Sequence, residues 1–212
     1  LVAQTLCLGT ELGKDWIFPA LAEAMEADGE TVRGLYQRND VKLRELEGME
    51  QGKGWYPLPG KSLPESTVTQ IVENGIRYQV DFENGQKTGF FLDQKYNRAA
   101  AARIAPGRTV LDCFTHTGSF GLNCAKAGAK RVVSVDVSES ALACARENAA
   151  LNDLEVEYQA ANVFDLLPNL TPGEFDTIIL DPPAFTKSGK TVKNAQRGYK
   201  EINYRAMKAL PR

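Results

Sequence analysis

Three short stretches of the 212-residue chain carry residue types and spacings suited to chemistry at a nucleotide. The first is Asp112-Cys-Phe-Thr-His-Thr-Gly-Ser-Phe-Gly121. A dinucleotide fingerprint would need G-x-G-x-x-G to press backbone N–H groups against a pyrophosphate. Here only Gly118 and Gly121 stand, and the acid Asp112 precedes them. A carboxylate in that place repels a diphosphate and attracts a cation. The second is Asp136, 18 residues past Gly118, a position suited to accepting hydrogen bonds from ribose hydroxyls. Each acid alone reads equally well as a helix cap or an exposed strand end. Their joint placement points to an adenosine with a cationic amino-acid tail, and S-adenosylmethionine is such a molecule. The third is Asp181-Pro-Pro-Ala-Phe-Thr-Lys187. Two prolines fix φ and remove two donors, leaving a stiff ledge with an acid in front, where a flat base could lie beside a methyl donor. Enzymes that methylate amino groups on such a sheet place an aromatic directly after the prolines to stack on a flipped base. Here that place holds Ala184, with Phe185 one step on, which weakens an N6-adenine reading.

A basic strip follows the ledge. From Lys187 to Arg212 there are eight Lys or Arg and one acid, net +7, so residues 1 to 186 carry −9 of the total −2. On a helix Lys193, Arg197, Lys200, Tyr204 and Lys208 share one face, while Ala195, Tyr199, Ile202, Ala206 and Ala209 share the other. The basic face is a candidate phosphate contact, and a solvated helix face is the plainer alternative. His116 reads as a polar loop residue lining a pocket. Cys113, Cys124 and Cys144 read as packing residues, and Trp16 and Trp55 as packing or surface residues.

The elements that must position these groups follow from periodicity. Thr109–Phe114, Arg131–Asp136, Glu155–Ala160 and Phe175–Leu180 read as buried strands. Helices are expected over Ser119–Ala127, from a Ser138 cap to Leu151, and from Val192 to the end. Strands alternating with helices imply an open parallel α/β sheet, whose ligands sit beyond the carboxyl ends of the strands. Upstream, Thr67–Phe82 reads as a hairpin turning at Asn74-Gly75, and Asp93 is expected to cap a helix to Ile104. The first third reads as a helix over Asp15–Ala27, strands at Thr31–Tyr36 and Val41–Leu46, and a loop at Gly52–Pro64. The resulting division is a small α+β domain with linker over residues 1–65, a hairpin lead-in over 66–92, and a Rossmann-like domain over 93–212 that ends after its fourth strand.

Composition narrows the class. The chain is 43% hydrophobic and 25% charged, a globular mix. No apolar run approaches the roughly 20 residues that span a bilayer, and no secretory leader is evident, so a cytoplasmic protein without membrane partners is expected. One His and four unpaired Cys argue against a zinc site, a disulfide framework and a Ser-His-Asp hydrolase. No metal is expected. The absence of an initiator Met suggests a piece of something longer.

Five motifs then occur in order: Gln86-Lys-Thr-Gly-Phe-Phe-Leu-Asp-Gln-Lys-Tyr-Asn-Arg98, Val110-Leu-Asp-Cys-Phe-Thr-His-Thr-Gly118, Ser134-Val-Asp-Val-Ser138, Asp181-Pro-Pro-Ala-Phe-Thr-Lys187 and Gly198-Tyr-Lys-Glu-Ile-Asn203. Together they resemble the class I S-adenosylmethionine-dependent methyltransferases of the bacterial large-subunit (23S) ribosomal RNA cytosine-5 type. The resemblance implies that Arg98, with Gln94, binds the cofactor's carboxylate end. It implies that Asp112, Phe114, Thr117 and Gly118 line the methionine part, that Asp136 holds the ribose, and that Asn162 and Val163 flank the adenine. Asp181, the catalytic candidate, and Pro182 would floor the transferred methyl group. Lys187, Lys193, Arg197 and Lys200 are the candidate RNA contacts. The family's leading RNA-binding PUA domain is not evident. Its nucleophilic Cys, needed because cytosine C5 is a poor nucleophile, is expected beyond residue 212. Guanine N7 methylation of ribosomal RNA, a non-catalytic RNA-binding module and, last, a nicotinamide oxidoreductase are the competing readings.

Overall fold

A computed structural model describes residues 1–186 and 191–211; Lys187 lies outside them. Two compact units emerge, Leu1–Gln70 with Val80–Phe91, and Ile71–Gln79 with Leu92 onward. The division runs through the hairpin, where the sequence suggests a separate lead-in.

The first unit contains β1 (Val2–Ala3), α1 (Leu8–Ala27), β2 (Leu35–Arg38) and β3 (Lys53–Tyr56). β1 runs parallel to β2, and β3 antiparallel to it, with Tyr36 opposite Trp55. Phe18 and Ala22 of α1 bury against Val32, Leu35 and Leu58. Four expectations are corrected here. α1 begins seven residues before Asp15 and carries Pro19 inside it. Its added turns are held by polar bonds, Thr5 Oγ1 to Glu11 (2.6 Å) and Lys14 to Glu11 (2.5 Å), which leave no apolar rhythm to read. Val41–Leu46 is a 3₁₀ helix, Lys42–Glu47, and not a strand. Its Arg44 turns inward to donate to the Glu50 carbonyl (2.8 Å), Thr5 Oγ1 (2.8 Å) and Glu11 (3.0 Å). Gly52–Pro64 contains β3, recruited by pairing with β2 against its own glycine-rich propensity. The strand expected at Thr31–Tyr36 starts only at Leu35. Trp16 is 71% exposed, while Trp55 meets Tyr36 edge-on at 5.1 Å.

β4 (Val68–Glu73) and β5 (Ile76–Asp81) form the expected hairpin. Asn74 (φ 53°) and Gly75 (φ 73°) supply the paired left-handed residues of a type I′ turn.

The second unit runs α2 (Lys95–Ile104), β6 (Thr109–Cys113), α3 (Ser119–Lys126), β7 (Arg131–Asp136), α4 (Glu139–Ala150), β8 (Glu157–Ala160), α5 (Val163–Leu166), β9 (Thr177–Leu180) and α6 (Val192–Ala209). The four strands are parallel, in the order β8-β7-β6-β9. Both faces are covered, as parallel sheets require. Val110 and Val132 pack with Ala105 and Cys124 on one side. Leu111, Cys113, Val133 and Val135 pack with Val163, Phe175, Ile202 and Ala206 on the other. Ser138 caps α4 by accepting from the Ala141 N–H (3.2 Å). Asp93 does not cap α2: it lies inside a 3₁₀ turn, Leu92–Gln94, and Gln94 takes the cap position with no side-chain bond. The chain turns one way from β6 to β7 and returns on the other side for β9. The loops after β6 and β9 therefore diverge at a switch point, which is where open α/β sheets place their ligand crevice.

One buried ion pair anchors the hairpin tip within this unit. Arg98, 1% exposed, donates from Nε and Nη2 to the two carboxylate oxygens of Glu73 (2.6 and 3.1 Å) and from Nη1 to Ser119 Oγ (3.3 Å). Removing one partner of such a pair strands the other charge, which costs about 3–5 kcal/mol. Glu73→Ala is expected to lower unfolding free energy by about that amount in urea titration. A loss below about 1 kcal/mol would show that the pair is not holding the tip.

Candidate cofactor site at the switch point

The loop leaving β6 is tightly wound. Phe114 (φ 63°), His116 (φ 52°) and Gly118 (φ 84°) all take left-handed conformations. For a non-glycine residue this costs of the order of 1–3 kcal/mol, and it persists only where surroundings dictate it. The dictating bonds are local. Thr115 N–H donates to the Val135 carbonyl (2.9 Å), Gly118 N–H to the Thr115 carbonyl (2.9 Å), and His116 N–H to Asp136 Oδ2 (2.9 Å). Burial pulls the His116 imidazole below its ordinary value, with the Asp136 carboxylate opposing.

Asp112 is the centre of this loop. It is 0% exposed. Its Oδ2 accepts from Thr115 Oγ1 (2.5 Å), the Gly121 N–H (2.9 Å) and Ser134 Oγ (3.4 Å). Gly121 is required for that approach, since a Cβ there would stand 2.3 Å from Ser134 Oγ and 3.2 Å from Asp112 Oδ2. Asp112 Oδ1 has no hydrogen-bond partner among the described residues, and neither does the buried Thr117 Oγ1. A buried carboxylate oxygen with no donor is costly. Burial accordingly pushes the Asp112 carboxyl up to about 6, against the three hydrogen bonds, and the Asp181 charge adds to the rise. An incoming ammonium would satisfy Oδ1, so these residues fit the cationic end of S-adenosylmethionine.

Asp136 ends β7 half-buried and accepts the His116 and Ser138 N–H groups, one on each oxygen. Each oxygen keeps a further lone pair for a hydroxyl. Asn162 Oδ1 caps α5 by accepting from Phe164 N–H (3.0 Å). Val163 is 2% exposed and packs into the sheet core. Gln94 Oε1 accepts from Asn97 Nδ2 (2.7 Å). Arg98 departs furthest from the expectation, because its guanidinium is committed to Glu73 and Ser119. It still acts on the crevice by charge: burial raises the Asp181 carboxyl, Arg98 opposes that rise and Asp93 adds to it.

After β9, Asp181 and Ala184 are exposed and Pro182 half-buried. Phe185 turns inward onto Tyr199 of α6, with ring centroids 4.4 Å apart, and its N–H donates to the Tyr199 hydroxyl (3.3 Å). Phe164 and Phe114 complete the cluster at 5.4 and 6.5 Å. Lys193, Arg197 and Lys200 are exposed along α6, with Ala195, Ile202, Ala206 and Ala209 facing inward. Sequence reasoning missed Glu73 and Asn148. Asn148 did leave a signal, as a polar residue inside the buried stripe Leu142, Ala145, Ala149 of α4; Glu73 left none.

An ammonium is attracted only by the ionised Asp112. Affinity for S-adenosylmethionine is therefore expected to fall as pH drops through about 6 and to level off above pH 7. In calorimetric titrations Asp112→Asn should bind weakly and show no such pH dependence. A wild-type affinity flat from pH 5 to 7.5 would remove Asp112 from the site.

Comparison with known proteins gives the family. Residues 58–210 match the S-adenosylmethionine-dependent methyltransferase family. Curated relatives include the ribosomal RNA large subunit methyltransferase I of Aliivibrio fischeri, 42% identical over 99% of this chain and 52% of that protein. The same-named protein of Shewanella denitrificans is 44% identical over the same shares. The chain thus spans about half the length of the curated relatives it matches. Among solved structures, one described as a methyltransferase complexed with SAH superposes with TM-score 0.76 at 25% identity, over all of this chain and 52% of that one. The M. jannaschii tRNA m1G37 methyltransferase shares the fold at TM-score 0.53 and 20% identity, over 77% of this chain and 45% of that one. With its acid-ended parallel strands and the family match across most of its length, the chain belongs to the S-adenosylmethionine-dependent methyltransferases.

Proposed function

We propose that this chain is the donor-binding half of an RNA methyltransferase that acts on a base of large-subunit ribosomal RNA, cytosine C5 by resemblance. The observation that carries the donor half is the pair of buried oxygens, Asp112 Oδ1 and Thr117 Oγ1, left without a partner among the described residues of a strained loop. When bound, S-adenosylmethionine supplies an electrophilic methyl group. Asp112 Oδ1 and Thr117 Oγ1 take the ammonium end, Asp136 takes the ribose hydroxyls, and the amide nitrogen of Asn162 addresses the adenine edge. Phe114 and Gly118 shape the wall along the methionine part. Asp181 and Pro182 form the floor beneath the methyl group, where the exposed Ala184 leaves room for a flat base.

The RNA half of the reading is supported by the exposed Lys193, Arg197 and Lys200, on the helix that Phe185 ties to the ledge. The names of the curated relatives agree with it. C5 methylation needs a thiolate that adds to C6 of the ring. Burial raises the thiols of Cys113 and Cys124, the latter to about 12, and both are sealed in the sheet and α3. The attacking thiol is therefore neither of these. Among the described residues no helix is long and apolar enough to cross a membrane, and a cytoplasmic setting on ribosomal RNA is part of the proposal.

Two measurements test it. Calorimetric titration with S-adenosylmethionine, with NADH in parallel, should show binding of the methyl donor alone. Asp136→Ala should lose most of that affinity while keeping its circular dichroism spectrum. Binding of NADH, or full affinity in Asp136→Ala, overturns the donor site. For RNA, neutralising Lys193, Arg197 and Lys200 together should lower the slope of log affinity against log salt by about 2–3, since each phosphate contact contributes about 0.7–0.9. An unchanged slope in the triple variant refutes the α6 contact.

A further inference from the structure

The outer edge of β5 is closed by side chains of a helix. Asn152, just past α4, accepts the Arg77 N–H at Oδ1 (2.8 Å) and donates from Nδ2 to the Arg77 carbonyl (2.7 Å). One turn earlier, Asn148 Oδ1 accepts the Gln79 N–H (2.8 Å). A further turn back, Cys144 Sγ reaches the Gln79 carbonyl at 3.8 Å. A stripe at i, i+4 and i+8 thus stands where another strand would pair. Asn152 spends its amide entirely on the hairpin edge and on the Asn148 carbonyl. Asn148 does not: its Nδ2 also donates to the carbonyl of Thr117 (3.1 Å).

That second bond reaches the loop around Asp112. Asn148 is 0% exposed, and its two ends meet two backbones far apart in the chain, at Gln79 and Thr117. A primary amide supplies an acceptor and a donor at one branch point without carrying charge. Thr117 Oγ1, like Asp112 Oδ1 and Thr177 Oγ1, is a buried oxygen without a hydrogen-bond partner among the described residues. The peptide that Asn148 holds is therefore the one that aims this hydroxyl. The same peptide is held on its other side by the Gly118 N–H, which donates to the Thr115 carbonyl (2.9 Å).

We propose that Asn148 is a positioning residue for the amino-acid end of the methyl donor: it fixes the Thr117 peptide from the α4 side and couples that peptide to the hairpin edge. This rests on the reading of Asp112 and Thr117 as the donor's ammonium site. Asn148 touches the ligand nowhere in this account, and its effect is confined to the end of the ligand that Thr117 meets.

The test compares two ligands that differ at that end. S-adenosylhomocysteine carries the amino-acid group, and 5′-methylthioadenosine lacks it. Both are titrated to millimolar concentration against the 212-residue chain and against N148D, with folding checked by circular dichroism. N148D keeps an acceptor for the Gln79 N–H but sets an oxygen against the Thr117 carbonyl. The expected result is a loss of roughly tenfold in S-adenosylhomocysteine affinity, the effect of one buried hydrogen bond, with methylthioadenosine affinity held within about twofold. A general structural role would weaken both ligands alike, and no role would weaken neither; either result overturns the proposal and leaves the donor site intact. Failure of the wild-type chain to bind either ligand overturns the donor site and the inference with it. Should N148D not fold, N148S, which adds no charge, is read on the same two ligands with the same outcomes deciding.

Discussion

A carboxylate sealed from water is the constraint around which the second unit is organised. Asp112 lies on a central strand, flanked on both sides, with no exposure at all. An uncompensated charge there would be expelled or neutralised. Three donors converge on one oxygen and lock the side chain's direction, which leaves the other oxygen fixed and bare. The converging donors explain much of the local sequence. Thr115 must curl back, so its neighbours Phe114 and His116 accept left-handed backbone. Residue 121 must lack a side chain, and residue 134 must carry a small hydroxyl. Burial pushes the Asp112 carboxyl up to about 6 in spite of those donors.

Around that loop, two long-range anchors differ in kind. Glu73, Arg98 and Ser119 form a charged tie in which every element is buried. Asn148 is a neutral tie with defined polarity at each end. Both lead from the hairpin, at Glu73 and Gln79, to residues on either side of Gly118. On the far side of the crevice, aromatic packing replaces polar anchoring. Phe185 leaves the two prolines and is taken up by Tyr199, Phe164 and Phe114, so the ledge is fixed at its end while Asp181 and Ala184 stay exposed.

How much of this could be read from residues alone follows from sequence distance. The β6, β7 and β9 strands, their helices and the acids at their ends were legible, because strand–helix alternation and caps such as Ser138 are local signals. The Asn74-Gly75 turn was legible for the same reason. What was not legible depends on partners far along the chain. Arg98 looks like an open anion binder until Glu73, 25 residues earlier, is placed against it. Arg44 breaks an apparent strand because Thr5 and Glu11 stand ready to receive it. Val163 follows a capping Asn, and only the packing of α5 onto the sheet shows that its side chain points inward. Asn148 is polar in an apolar stripe, a conflict that sequence can flag but not resolve.

The asparagine stripe has a consequence for solubility and assembly. An unpaired strand edge is a template, and any extended segment with free amides can add to it, from another copy or from a nascent chain. The amides of Arg77 and Gln79 are already taken by side chains anchored in a helix. Side chains cannot propagate a ladder, because they offer no further edge of their own. The hairpin is thus closed on its β5 side, where strand-by-strand growth stops at these side chains.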